Sequence, residues 1–183
     1  DDSAIITFDD DDIKLHPSIS TGALTLDLAL GIGGLPKGRM SLILGNSGTG
    51  KTTLCLSVCK QAQLLLPEKY VYFIDTEHEL DLFYADSMGL DIDRILLTQP
   101  ESAEEALDAA VTIMRSGAIS VMILDSIAAL KTKEDIEKSS DENASMAGVA
   151  RLMARELPRL KQAANKTDTV VLMTNQWRTG FAA

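Results

Sequence analysis

Positive charge is what this 183-residue chain has least of: 17 lysines and arginines stand against 27 acidic residues, for a net charge of −10. That balance argues against a surface that binds nucleic acid nonspecifically over its whole area. The shortage is uneven. Residues 146–183 hold Arg151, Arg155, Arg159, Lys161, Lys166 and Arg178 against Glu156 and Asp168, a local +4 that leaves −14 for the rest. A basic face of this kind can grip a polyanion, and a solvated helix face accounts for the same charges. Cysteine is scarce as well. Cys55 and Cys59 lie four apart on one helix face, too few ligands for a zinc site, so buried free thiols are expected. No apolar run approaches the roughly 20 residues that cross a bilayer. No signal peptide opens the chain, so a cytoplasmic location without a membrane partner is expected. Internal repeats and low-complexity tracts are also missing. The length suits one well-buried domain.

What the chain does have is alternation. "MSLIL", "YVYFID", "RILLT", "VMILD" and "TVVLMTN" are short apolar runs that read as buried strands. Between them Lys51–Leu66, Leu80–Met88, Ser102–Ser116 and Met146–Ala164 read as helices. Ser102 can cap the third of these with Glu105 in capping-box position, and Gly117 can end it. Pro158 is expected to kink or split the last. Strand–helix alternation at this spacing predicts an α/β fold with a mostly parallel sheet flanked by helices, three layers in all. Residues 1–20 form an acidic segment with "IITF" as a candidate edge strand, and residues 21–183 form the core.

The strongest motif is "GNSGTGKT", a glycine, four residues, then Gly50, Lys51 and Thr52, between a strand and a helix. This is the full P-loop pattern in its proper context. Glycines at 45, 48 and 50 let backbone N–H groups converge on a phosphate. The helix start adds a fixed positive end. Candidate phosphate-binding residues are therefore Gly45, Asn46, Ser47, Gly48, Thr49, Gly50, Lys51, Thr52 and Thr53. Lys51 reaches the terminal phosphates of ATP, and the Thr52 hydroxyl can ligate Mg²⁺. Asp125, at the carboxyl end of "VMILD", is the expected second metal anchor. Hydrolysis also needs a base near the terminal phosphate. Asp75, Glu77 and His78 follow "YVYFI"; Glu77 is the choice, because a glutamate can span the gap to an in-line water without ligating the metal. His78 is expected to be a neutral packing residue.

Taken in order and spacing, "STGALTLDLALGIGGLPKGRM", "GNSGTGKTT", "FIDTEHELD", "LLTQPES", "SGAISVMILDSIAAL" and "TNQWR" closely resemble the ATPase core of the bacterial RecA-type recombinases, from about residue 3 to 180. The resemblance implies a DNA-dependent ATPase of recombination and repair. Such proteins bind single-stranded DNA as an ATP-bound helical filament and exchange strands with double-stranded DNA. It places Glu77 on the family's catalytic glutamate, Asp81 and Tyr84 on residues that contact adenine, and Gln176 on the glutamine that senses the γ-phosphate. It sets the first DNA-binding loop at roughly Glu137–Ala147 and the second from near Trp177, with Met146, Arg151 and Arg178 on DNA-contact positions. Trp177 can stack on a base or pack under the loop, and packing is expected.

Four departures from the family pattern accompany this. The helix before the core is absent, and the chain stops around the start of the second loop without the later core strands and the carboxyl-terminal domain, which the resemblance reads as truncation at both ends. "KSSDENAS" is acidic to neutral where glycine is usual, and Pro158 replaces a basic helical residue. Two other readings stand beside the recombinase: a hexameric helicase or regulatory ATPase on the same core, and a nucleotide-binding interaction module without turnover.

Overall fold

The computed structural model describes residues 16–137 and 142–177, with the side chains of 142–146 left undescribed. The candidate edge strand "IITF" lies outside the described residues. The described chain opens with a small antiparallel pair, β1 (Ser18–Ile19) and β2 (Leu35–Pro36), enclosing the helix α1 (Leu24–Leu30). Hydrophobic periodicity does not announce α1, because the residue it buries is Asp27. Ser20 Oγ, Thr21 N and Thr21 Oγ1 all donate to that carboxylate, at 2.6, 2.8 and 2.7 Å. Burial alone would raise the Asp27 pKa; the three donors outweigh it and hold it below the usual carboxylate value.

The rest is the expected layered α/β domain. Strands β3 (Met40–Gly45), β4 (Tyr70–Asp75), β5 (Ile95–Thr98), β6 (Ile119–Asp125) and β7 (Val170–Gln176) form one parallel sheet in the order β3–β7–β6–β4–β5. Parallel strands need helical crossovers, and those helices cover both faces. Central β6 is consequently buried at all seven residues. Side chains alternate across the sheet. Val71, Phe73, Val121 and Ile123 meet helix α2 (Lys51–Leu65) on one face. On the other, Tyr72, Ile74, Met122 and Leu124 meet α4 (Ala103–Arg115) and α6 (Glu142–Thr167). A short helix α3 (Leu82–Ser87) lies between β4 and β5, and a one-turn helix α5 (Lys133–Glu137) follows β6. Cys55 and Cys59 are buried free thiols on α2, as expected.

Helix α4 starts where its cap said it would. Ser102 Oγ accepts from Glu105 N at 3.2 Å, although the Glu105 carboxylate reaches Glu101 N rather than completing the box on Ser102. Helix α3 begins at Leu82 rather than Leu80, because the Asp81 carboxylate caps it. Pro158 does not split the last helix. A proline inside a helix costs ~3 kcal/mol or more, but a buried leucine returns roughly 1.5–3 kcal/mol. The buried face of α6 continues past the proline, with Leu152 and Met153 before it and Leu160, Ala163 and Ala164 after it. Across the same turn, Glu156 takes both Arg155 and Arg159. Helix α6 also begins at Glu142, so part of the expected loop Glu137–Ala147 is helical. Among the described residues, no helix is long and apolar enough to cross a membrane.

Candidate nucleotide-binding site

The carboxyl ends of β3, β7, β6 and β4 lie side by side and bring together residues far apart in sequence. Gly45 is in register with Gln176, and Asp75 with Asp125. Ligand crevices in parallel α/β sheets form along such an edge. At β3 the chain leaves the sheet through residues 46–50, all exposed, and enters α2 at Lys51. Two glycines set the shape of that turn. A Cβ on Gly45 would meet Thr49 Oγ1 at 2.9 Å, so the position cannot carry a side chain without movement. Gly50 precedes the helix at φ 85°, in the left-handed region that disfavours other residues. No side chain caps α2. Its first-turn N–H groups and the positive end of its dipole are therefore presented at the loop, the arrangement that attracts an anion. Lys51 Nζ donates to Asn46 O at 2.8 Å, and Thr49 Oγ1 donates to the same oxygen at 2.9 Å. The ammonium thus lies back over the loop, on an acceptor it can exchange for a phosphate oxygen. Ser47, Gly48 and Thr53 are exposed around it.

The expected metal anchors are in contact. Thr52 Oγ1 donates to Asp125 Oδ2 at 2.5 Å, while the buried Thr174 hydroxyl of β7 takes Asp125 Oδ1. A hydroxyl and a carboxylate side by side are hard oxygen donors of the kind Mg²⁺ prefers. Among the described residues, no group of three or more His, Cys, Asp or Glu could hold a metal unaided.

Of the three candidates for the base, geometry separates their duties. Asp75 is buried and fully employed: Glu79 N, Leu80 N and the Gln99 amide donate to it at 3.3, 3.1 and 3.0 Å. It shapes the turn. That tight turn throws His78 outward, at φ 57° and exposed, instead of packing it as expected. Glu77 faces the site. Its Oε1 accepts from Ser126 Oγ at 2.6 Å and from Gln176 Nε2 at 3.4 Å. The expected base and the expected phosphate sensor are therefore in direct contact beside the loop. Thr76 braces this contact, donating to Ser126 O at 2.8 Å and accepting from Ser126 N at 2.7 Å.

Other expected residues are placed less closely. Asp81 spends Oδ1 on capping α3, accepting from Phe83 N and Tyr84 N at 2.9 and 3.1 Å. Tyr84 is exposed on that helix. Arg151 is exposed on α6. The Met146 side chain and all of Arg178 lie outside the described residues. Trp177 does not pack: it is 65% exposed, while its N–H reaches Gly45 O at 3.4 Å and ties the backbone to the edge strand. Sequence reasoning missed Thr76, Gln99, Ser126 and Thr174. The available signal was a polar residue inside or directly after an apolar strand run.

A family model described as the RecA N-terminal domain matches residues 1–182. The chain belongs to the RecA N-terminal domain family. Protein RecA of a Nitratiruptor species is 46% identical over 180 residues, which cover 98% of this chain and 52% of that protein. Protein RecA of Bdellovibrio bacteriovorus is 49% identical over 167 residues, 91% of this chain and 43% of that protein. Protein RecA of Nautilia profundicola is 43% identical over 175 residues, 96% of this chain and 49% of that protein. The chain thus spans about half the length of the curated RecA proteins it matches. The five-stranded parallel sheet with helices on both faces is the RecA-like α/β core that membership in this family leads one to expect.

Proposed function

We propose that this chain is the ATP-binding and ATP-hydrolysing core of a RecA-type recombinase, a cytoplasmic protein acting on single- and double-stranded DNA. We further propose that the whole protein self-associates on DNA as a helical filament. The observation that carries the reading is the contact of Glu77 with Gln176 beside a P-loop whose Thr52 already meets Asp125. In this reading the loop N–H groups and Lys51 hold the phosphates of ATP. Thr52 and Asp125 hold Mg²⁺, which supplies charge neutralisation at the phosphate oxygens. Asp81 and Tyr84 flank the base.

Ser126 and Gln176 hold Glu77 in place. They occupy Oε1, and among the described residues no hydrogen bond reaches Oε2. In this reading the Glu77 carboxylate takes the proton from water as that water attacks the terminal phosphorus; ADP and phosphate leave. Gln176 sits between the base and the loop, so loss of the γ-phosphate alters its hydrogen bonds and moves the chain that follows it. That following chain begins at Trp177. Arg151, which is exposed, and Arg178 are the proposed contacts to DNA phosphates, with Met146 a further DNA-contact position.

The test is ATP hydrolysis by the purified chain with and without single-stranded DNA. Stimulation by DNA is expected, and ATP uptake without turnover in either condition would reduce the chain to a nucleotide-binding module. Glu77→Gln is expected to keep ATP affinity and lower turnover at least about tenfold; unchanged turnover removes Glu77 from the role of base.

A further inference from the structure

Asp125 is gripped from two sides by threonine hydroxyls that differ in setting. Thr52 stands at the half-buried start of α2, where a phosphate-bound metal would arrive. Thr174 is fully buried in β7, at the end of the apolar run "VVLM". Packing alone gives no reason for a hydroxyl there, since valine has nearly the same shape and suits the strand. A buried hydroxyl must also find an acceptor or lose free energy, and this one finds Asp125 Oδ1. Two residues on, and therefore on the same face of β7, Gln176 reaches Glu77. One face of one strand touches both the carboxylate that anchors the metal and the carboxylate that takes the proton.

We infer that Thr174 is a positioning residue for the metal site: it fixes Asp125 through Oδ1 so that Oδ2 points at Thr52, and it ties that anchor to the strand bearing the phosphate sensor. The inference rests on the ATP-binding reading above. With Oδ1 held, the carboxylate cannot rotate about its own bond, and the metal meets a preset oxygen. Without Thr174, Thr52 is the one remaining hydrogen-bond partner of the Asp125 carboxylate among the described residues, and Thr52 is itself a metal ligand in this reading. The same link makes any shift of Gln176 felt at Asp125, because only one residue, Asn175, separates the two contacts along β7.

The experiment is titration of the purified chain with fluorescent ADP, once with Mg²⁺ and once with EDTA. The wild-type chain is expected to bind more tightly with Mg²⁺. In Thr174→Val that gain should shrink about tenfold, with the affinity in EDTA unchanged within about twofold. Thr174→Ser, which keeps the hydroxyl, should restore most of it. Mn²⁺ binding followed by electron paramagnetic resonance should move in parallel, independently of turnover. A Thr174→Val chain with the full wild-type gain overturns the inference, and so does one that loses binding equally with and without metal, since that is a fold defect. If Thr174→Val does not fold, failure of Thr174→Ser to keep the gain overturns it as well. Failure of the wild-type chain to bind nucleotide at all would instead sink the ATP reading.

Discussion

The loop between β3 and α2 and the turn after β4 face the same site and are built on opposite plans. The loop is exposed from Asn46 to Gly50, and its side-chain bonds converge on a single carbonyl, that of Asn46. Across the site, Asp75, Thr76, Glu77, Asp125, Ser126, Thr174 and Gln176 are hydrogen-bonded to one another and to nearby backbone. In the proposed reading the difference follows from what each half would handle. A loop that wraps an anion must keep N–H groups unspent until the anion comes. Groups that take a proton or hold a metal work best when already fixed, because reorganisation during reaction raises the barrier.

The sharpest way to break this contrast is at Lys51. If the loop half serves binding and not folding, Lys51→Ala should weaken ATP binding about a hundredfold or more, through loss of a charge-assisted contact to phosphate. Its melting temperature should stay within about 2 °C of wild type, because the lysine's hydrogen bond in the free chain goes to an exposed loop. A large drop in melting temperature would show that the loop carries structural weight, and the two plans would merge.

Asp75 is the counterpart in the other half. Asp75→Ala removes the buried acceptor of two backbone N–H groups and the Gln99 amide, whose own residues are exposed or half-buried and can turn to water. Hydrogen bonds to a charged acceptor contribute roughly 1.5–3 kcal/mol, and the donors' access to water reduces the loss, so a drop of about 1 kcal/mol in unfolding free energy is expected by urea denaturation. Turnover should fall with it, as Glu77 loses its turn, while the loop's affinity for ADP changes little. Undiminished stability would mean that the turn is held by something other than this carboxylate.

The same contrast governs what could be read from sequence. The loop signature lies within eight consecutive residues, so spacing alone exposes it. Glu77 and Asp125 show as acids at the ends of apolar runs. Their supports do not, because the bonds join positions 24, 49, 50 and 99 residues apart: Gln99 to Asp75, Ser126 to Glu77, Thr76 to Ser126 and Gln176 to Glu77. Strands β4, β6 and β7 were legible because both their faces are covered, which keeps each run apolar; β3 and β5 have equally apolar runs although Leu42, Leu44, Leu96 and Leu97 are exposed. Helix α1 was not legible, since a carboxylate docks it in place of an apolar stripe. The split that Pro158 could have caused did not occur, for a related reason. Local propensity was outweighed by core contacts on both sides of the proline.

The smallest expected effect concerns how far the openness of the loop half extends. Helix α2 begins in the exposed loop, yet one turn later it is sealed, with Cys55 at 0% and Cys59 at 1% exposure. Burial pushes the Cys59 thiol up to about 12 and raises Cys55 well above its usual value, with nearby Asp125 adding to the effect. Since the thiolate is the reactive form, both thiols should resist a disulfide reagent at pH 8 while the fold is intact. Labelling should then follow global unfolding, and added ATP should slow it by stabilising the native state. A fast labelling phase with the circular dichroism spectrum unchanged would mean that α2 itself opens. The loop's readiness to wrap a phosphate would then come from a mobile helix, and not from a flexible turn set on a rigid one.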